Sequence, residues 1–187
     1  MSVQKTDQAS VIGCALALFR RQGYHKTSMA EVAAACGLLK GSLYHYFPSK
    51  EAMARAVMDH VHARFAEAVF RWADDHSLAP DERLRRMMAA TEEYFLNGDG
   101  GCVMGNLAIE VTVSAPELSL AIRAYFADWA AALARILGCR WDAGTAQQKA
   151  ERAVAEIQGA LLLMRASNTS DALLRTTRGL VQDLTQK

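Results

Sequence analysis

The chain has 187 residues, a net charge of +1 at neutral pH and 51% hydrophobic residues, enough to bury a full core in one or two domains. Only three prolines, set among many alanines and leucines, favour an all-helical protein. No apolar run reaches the roughly eighteen uncharged residues of a membrane span, and residues 1–22 lack a signal-peptide layout, so a cytoplasmic protein is expected.

The four cysteines, Cys14, Cys36, Cys102 and Cys139, are scattered without metal-ligand spacing, which points to reduced thiols and no metal. Charge is unevenly shared. Residues 1–50 carry Lys5, Arg20, Arg21, Lys26, Lys40 and Lys50 against Asp7 and Glu31, a net +4, leaving −3 for the remainder. A small basic unit joined to a larger, mildly acidic one suits a protein whose N-terminal part meets a polyanion.

The first helix is expected over residues 9–23, with Ile12, Ala15, Leu16 and Phe19 as its buried stripe, Arg20 and Arg21 in a cationic last turn, and Gly23 as its stop. Tyr24 and His25 then lead into the next helix, His25 reading as a solvated loop residue or as a contact residue.

Residues 27–50, TSMAEVAAACGLLKGSLYHYFPSK, specify a chemistry. Ser28 and Glu31 have the spacing of a reciprocal capping box. Met29, Val32, Ala33 and Cys36 recur at three- and four-residue spacing, and Gly37 supplies the left-handed turn that ends the helix. A second short helix, about residues 40–46, buries Leu43 and turns Lys40, Ser42, Tyr44 and His45 outward. A helix with such a polar, donor-rich face fits the major groove; an ordinary two-helix corner would share the bare pattern.

Tyr44, Tyr46, Phe47, Ser49 and Lys50 follow in an order that resembles the signature of TetR-family transcriptional regulators, over about the first fifty residues. The resemblance implies that the first helix braces a helix-turn-helix. It assigns DNA contacts to Lys40, Gly41, Ser42, Tyr44, His45 and Tyr46 on the recognition helix, with Thr27, Ser28 and Lys50 positioning the phosphate backbone. Gly41 departs from the family's usual short polar residue or proline and offers no side chain for specificity.

A long amphipathic helix is expected over residues 50–74, opened by Ser49 and carrying Met53, Ala56, Val57, Val61, Phe65, Ala68, Val69 and Trp72 on its apolar face. At this length it would extend roughly 35 Å, and by resemblance it connects a ligand site to the DNA-reading helix. His60 and His62 point in different directions and make a poor metal pair. A fifth helix, residues 80–96, offers Leu84, Met87, Met88, Thr91, Tyr94 and Phe95 for burial. The glycines of NGDGG follow no strand and lack a phosphate-loop lysine, so a nucleotide site is rejected.

GCVMGNLAIEVTVSAPEL resembles the start of the regulatory domain in one branch of the family, with its Gly-Cys-x-x-Gly-Asn stretch. Cys102 has two readings: a thiol at the positive end of a helix, open to electrophiles, or a small packed apolar residue. Asn106 and Glu110 share one face, either orienting a ligand or satisfying backbone groups and an arginine such as Arg123 or Arg165. Two long helices, residues 116–137 and 146–166, are apolar around much of their circumference, which implies burial on two sides. By resemblance they form a four-helix dimer interface. A terminal helix is expected over residues 171–184.

The fold class expected is all-α, about nine to ten helices, with a three-helix helix-turn-helix domain over residues 1–50 and a helical effector-binding and dimerisation domain over 51–187. The function that the resemblance implies is a homodimeric repressor, released from a palindromic double-stranded DNA operator by a small-molecule effector, an electrophile being one class, with no cofactor. Candidate chamber residues are His62, Phe65, Met87, Tyr94, Cys102, Met104, Asn106, Glu110, Tyr125, Trp129 and Met164. The alternative is a ligand-binding helical protein with a vestigial DNA module. An enzyme is disfavoured, because no nucleophile-base pair or metal cluster stands at motif spacing.

Overall fold

The computed structural model describes residues 7–98, 101–111 and 115–186. Among these, nine α-helices and one 3₁₀ turn occur in the order α1 Gln8–Lys26, α2 Met29–Ala35, α3 Lys40–Tyr46, α4 Lys50–Ala68, the 3₁₀ turn Phe70–Ala73, α5 Pro80–Leu96, α6 Val103–Val111, α7 Pro116–Leu137, α8 Ala143–Ser167 and α9 Asp171–Thr185. No helix among the described residues is long and apolar enough to cross a membrane. The fold is all-α with an N-terminal helix-turn-helix, as the sequence predicts. Two compact units form, one from Met1–His62 with Val103–Ile122, the other from Ala63–Cys102 with Arg123–Lys187.

In the first unit, α1 opens on Asp7, whose carboxylate accepts the Ser10 N–H at 2.8 Å. Its buried stripe is Val11, Ala15, Leu18 and Phe19, while Ile12 and Leu16, both expected in the core, are half-buried. The helix does not end at Gly23. Gly23 breaks it with φ 82° and ψ 175°, and helical structure resumes to Lys26. That sharp turn swings Tyr24 into the core, where it is 5% exposed and 5.9 Å from the Phe19 ring. α6 packs on α1, with Leu107 and Val111 buried. This packing places α6 with the helix-turn-helix rather than with the helices that precede it in sequence.

The second unit is built around an aromatic cluster and a set of long helices. α5 packs on the 3₁₀ turn and on α9, and α8 packs on α9. α4 stops at Ala68, short of the expected residue 74. Val69, Phe70 and Ala73 are all buried, and the tighter winding of the Phe70–Ala73 turn takes Phe70 and Ala73 inward together. Trp72, placed on the apolar face by the helical pattern, is instead half-buried under the Arg71 guanidinium, 4.6 Å from its ring. α8 begins at Ala143 because Asp142 caps it, accepting the Thr145 N–H at 3.0 Å; α8 was expected to begin three residues later.

Candidate DNA-reading surface and effector site

α2 is closed at both ends. The Glu31 N–H donates to Ser28 Oγ at 3.2 Å, and the Glu31 carboxylate accepts the Ser28 N–H at 2.8 Å, completing the capping box. These bonds hold the exposed Glu31 carboxyl below the usual range. At the other end Leu38 N–H reaches Ala33 O at 2.8 Å and Gly37 N–H reaches Ala34 O at 3.1 Å, with Gly37 at φ 67°. This six-to-one and five-to-two pair of bonds is a Schellman ending, which needs a left-handed residue at Gly37. α3 therefore leaves α2 at a fixed angle. Leu43, fully buried, anchors it in the core of the unit, where Val32, Ala33 and Phe47 are buried too.

With Leu43 inward, Lys40, Gly41, Tyr44 and His45 are exposed, and Ser42 and Tyr46 are half-buried. Tyr44 is 45% exposed. Ser28 is exposed but committed to the capping box. Lys50 is half-buried: its Nζ donates to His25 O at 3.3 Å and lies 4.1 Å from the Tyr24 ring centroid. Burial draws its ammonium below the ordinary lysine range, against the pull of Glu51, Glu110 and Glu31.

Thr27 corrects the expectation of a phosphate contact. It is 1% exposed, and its Oγ1 donates to Gly23 O at 2.7 Å. The hydroxyl ties off a carbonyl that the Gly23 break frees from the helix, so it is not presented outward.

Tyr24, which the sequence places only at the entry to α2, organises the junction. Its hydroxyl donates to Glu51 at 3.2 Å. Burial first, and Glu51 next, push the phenol up to about 12. Cys36, half-buried, is likewise pushed up to about 12, by burial and then by the adjacent Cys14 thiol.

The expected chamber residues fall into two groups. Phe65, Tyr94, Tyr125 and Trp129 meet in the second unit, with Phe65 at the hub. Its ring lies 4.8 Å from Tyr94, 5.3 Å from Tyr125 and 4.7 Å from Trp129, and Phe70 and Phe95 complete the cluster at 5.2 and 5.6 Å. Cys102, buried, contacts Tyr125; burial above all, then the charge of Cys102 and Tyr94, holds the Tyr125 phenol well above its ordinary range and therefore neutral. Among the described residues, the buried Trp129 Nε1–H has no partner. Met87 is buried and Met164 half-buried in the same unit.

His62, Met104, Asn106 and Glu110 belong to the first unit. Glu110, which the sequence offers as a ligand contact or an arginine partner, reaches the turn before α2. Its carboxylate accepts the His25 backbone N–H at 3.1 Å, and its carbonyl oxygen lies 3.0 Å from His25 Nε2, which must donate. His25, expected to be a solvated loop residue, is exposed yet held by these bonds. The two residues are 85 apart in sequence, and no local pattern links them.

A doubly closed α2, a buried anchor in α3 and a polar outer face define a helix-turn-helix DNA-binding regulator with a helical C-terminal domain. Residues 12–57 match the family of bacterial regulatory proteins, tetR family, and residues 80–178 match the C-terminal domain of LmrA/YxaF-like transcriptional regulators. The chain belongs to the TetR family of transcriptional regulators. It is 28% identical over 155 residues to YxaF of Bacillus subtilis, an uncharacterised HTH-type transcriptional regulator, covering 81% of this chain and 79% of that one. It is 25% identical over 162 residues to the HTH-type transcriptional repressor DhaR of Mycobacterium sp. GP1, covering 83% and 81%. A TetR transcriptional regulator from Legionella pneumophila superposes over the whole of both chains with a TM-score of 0.86 at 21% identity, which shows the shared fold.

Proposed function

We propose that this regulator is a homodimeric repressor, with residues 1–50 reading a palindromic operator and residues 51–187 binding the effector and the second subunit. The observation that carries the reading is the exposed face of α3, with Lys40, Gly41, Tyr44 and His45 outward on a helix anchored by Leu43. Lysine and histidine donors there suit base edges and phosphates. Ser42 and Tyr46 flank them, and Ser28 and Lys50 lie where the backbone would pass.

A second copy is supported by α7 and α8. Leu120, Leu162 and Leu163 are 59%, 65% and 59% exposed, and a groove of about 460 Å³ runs between Phe126, Ala130, Val154 and Gln158. Two-fold symmetry would then set two α3 helices about one DNA turn apart.

For the effector, the second unit supports an uncharged, flat molecule bearing a hydrogen-bond acceptor. Its cluster of aromatic rings has a neutral Tyr125 phenol and a buried Trp129 N–H that lacks an acceptor. Release needs the effector to prefer the DNA-incompetent state by roughly 5 kcal/mol. The opening Gly101, Cys102, Gly105 and Asn106 would mark the branch of the family in which this occurs.

The test is binding of labelled duplexes across a salt series. A regulator of this kind gives a steep fall of affinity with salt and strong sequence preference. A vestigial DNA module gives neither.

A further inference from the structure

Leu39 stands between α2 and α3 with 81% of its surface exposed. A single exposed leucine needs no explanation by itself, but this one occupies a position where it costs local stability. It is the N-cap residue of α3, with φ −70° and ψ 146°, and its side chain makes no capping bond. Serine, threonine, aspartate or asparagine there would accept a first-turn N–H and stabilise the helix. The chain uses that device at Asp7, Ser28 and Asp142. Nor does packing account for the leucine. The apolar residue that closes the Schellman ending of α2 is Leu38, half-buried, with its N–H on Ala33 O at 2.8 Å. Leu39, one residue on, is left in solvent.

Leu39 is continuous with the exposed face of α3. Lys40 follows it directly, and Gly41 after that is exposed, with no atom within 4 Å of an added Cβ. The first residues of a recognition helix are those that meet base edges in the major groove, and bare backbone at Gly41 leaves room for a base pair to approach. Leucine has no side-chain atom that can make a hydrogen bond. Among the groups that base pairs display in the major groove, the apolar one is the C5 methyl of thymine. On the DNA-reading role proposed above for α3, we propose that Leu39 is a specificity-determining residue that recognises a thymine methyl in each half-site of the operator. A local helix rule is thus broken where function gains from the exception. Taking one methyl out of water, on the scale of a buried CH₂, corresponds to about a fourfold change in affinity.

Deoxyuridine tests this, because it lacks the C5 methyl of thymidine and keeps every hydrogen-bonding atom. The duplex that the wild type enriches from a random pool is resynthesised with each thymine replaced in turn, at equivalent positions of both half-sites, and titrated with wild type and with Leu39→Ser. At one position the replacement should weaken wild-type binding about fourfold per half-site. Leu39→Ser should bind the thymine and deoxyuridine duplexes equally, and its urea midpoint should be no lower than that of the wild type, because serine can cap α3. The proposal is overturned by a wild type indifferent to every methyl, by the same methyl dependence in Leu39→Ser, by loss of all binding in that variant, or by a lower midpoint. A pool from which the wild type enriches nothing is a different result: it removes the DNA-reading role of α3, and the proposal with it.

Discussion

Glu110 holds His25 twice, once through its carboxylate on the backbone N–H at 3.1 Å and once through its own carbonyl, 3.0 Å from Nε2. His25 lies between the Gly23 break and the Ser28 cap, so these bonds fix how the chain enters α2. Glu110→Ala should destabilise the first unit by about 1 kcal/mol and weaken operator binding, although it lies on α6, not on the DNA-reading surface. Glu110→Gln, which keeps an acceptor oxygen, should do less. Denaturant unfolding and duplex titration of both variants check this, and equal effects of the two substitutions would contradict it.

Gly23 and Gly41 should respond to alanine in opposite senses. Gly23 has φ 82°, and a Cβ there would fall 2.3 Å from Glu110 Oε1, so Gly23→Ala should cost about 2 kcal/mol or more. Gly41 lies inside α3 with nothing within 4 Å of an added Cβ, so Gly41→Ala should stabilise by about 0.5–1 kcal/mol. Urea midpoints with unchanged slopes would measure both.

The Glu31 carboxyl has a lowered pKa in the folded state because of its bonds to Ser28. The native state therefore binds that proton less readily than the unfolded chain. The stabilisation is present above the ordinary carboxyl range and disappears as pH falls through the lowered native value. Wild type should melt higher than Glu31→Gln near neutral pH, and the two melting temperatures should converge in acid. A difference that persists or grows below pH 3 would rule out this account. Ser28→Ala, which removes the other half of the box, should cost about 1 kcal/mol.

Phe65 contacts five aromatic rings and is fully buried. Phe65→Ala should cost about 3–5 kcal/mol, and Phe65→Leu clearly less, because leucine refills most of the volume. A cost under 1 kcal/mol for alanine, measured by denaturant unfolding, would show that the cluster does not hold the second unit together.

The helix-turn-helix was legible because its signals are local. Ser28 and Glu31 are three residues apart, Gly37 closes the helix within the same turn, and Leu43 is the one apolar residue whose burial orients α3. What escaped depends on distant partners. Thr27 looks like an outward hydroxyl until the Gly23 break supplies a carbonyl for it. Glu110 finds His25, 85 residues away in sequence, and α4 ends at Ala68 because tertiary burial of Phe70 and Ala73 overrides a helical pattern that runs on to Trp72. Arg83, one of several charged residues in α5, carries no local sign that it will be buried.

Lys40 stands on the outer face of α3. Lys40→Ala should weaken binding and reduce the salt slope by about one if the side chain meets a phosphate, or relax preference at one base if it meets a base edge.

Sequence-specific reading of DNA by α3 is tested most directly by selecting bound duplexes from a random pool and sequencing them, for the wild type and for Tyr44→Ala with Lys40→Ala. The account predicts an enriched palindrome with half-sites about one helical turn apart, lost in the double variant. A folded, dimeric wild type that enriches no sequence, or a double variant that enriches the same one, would contradict it.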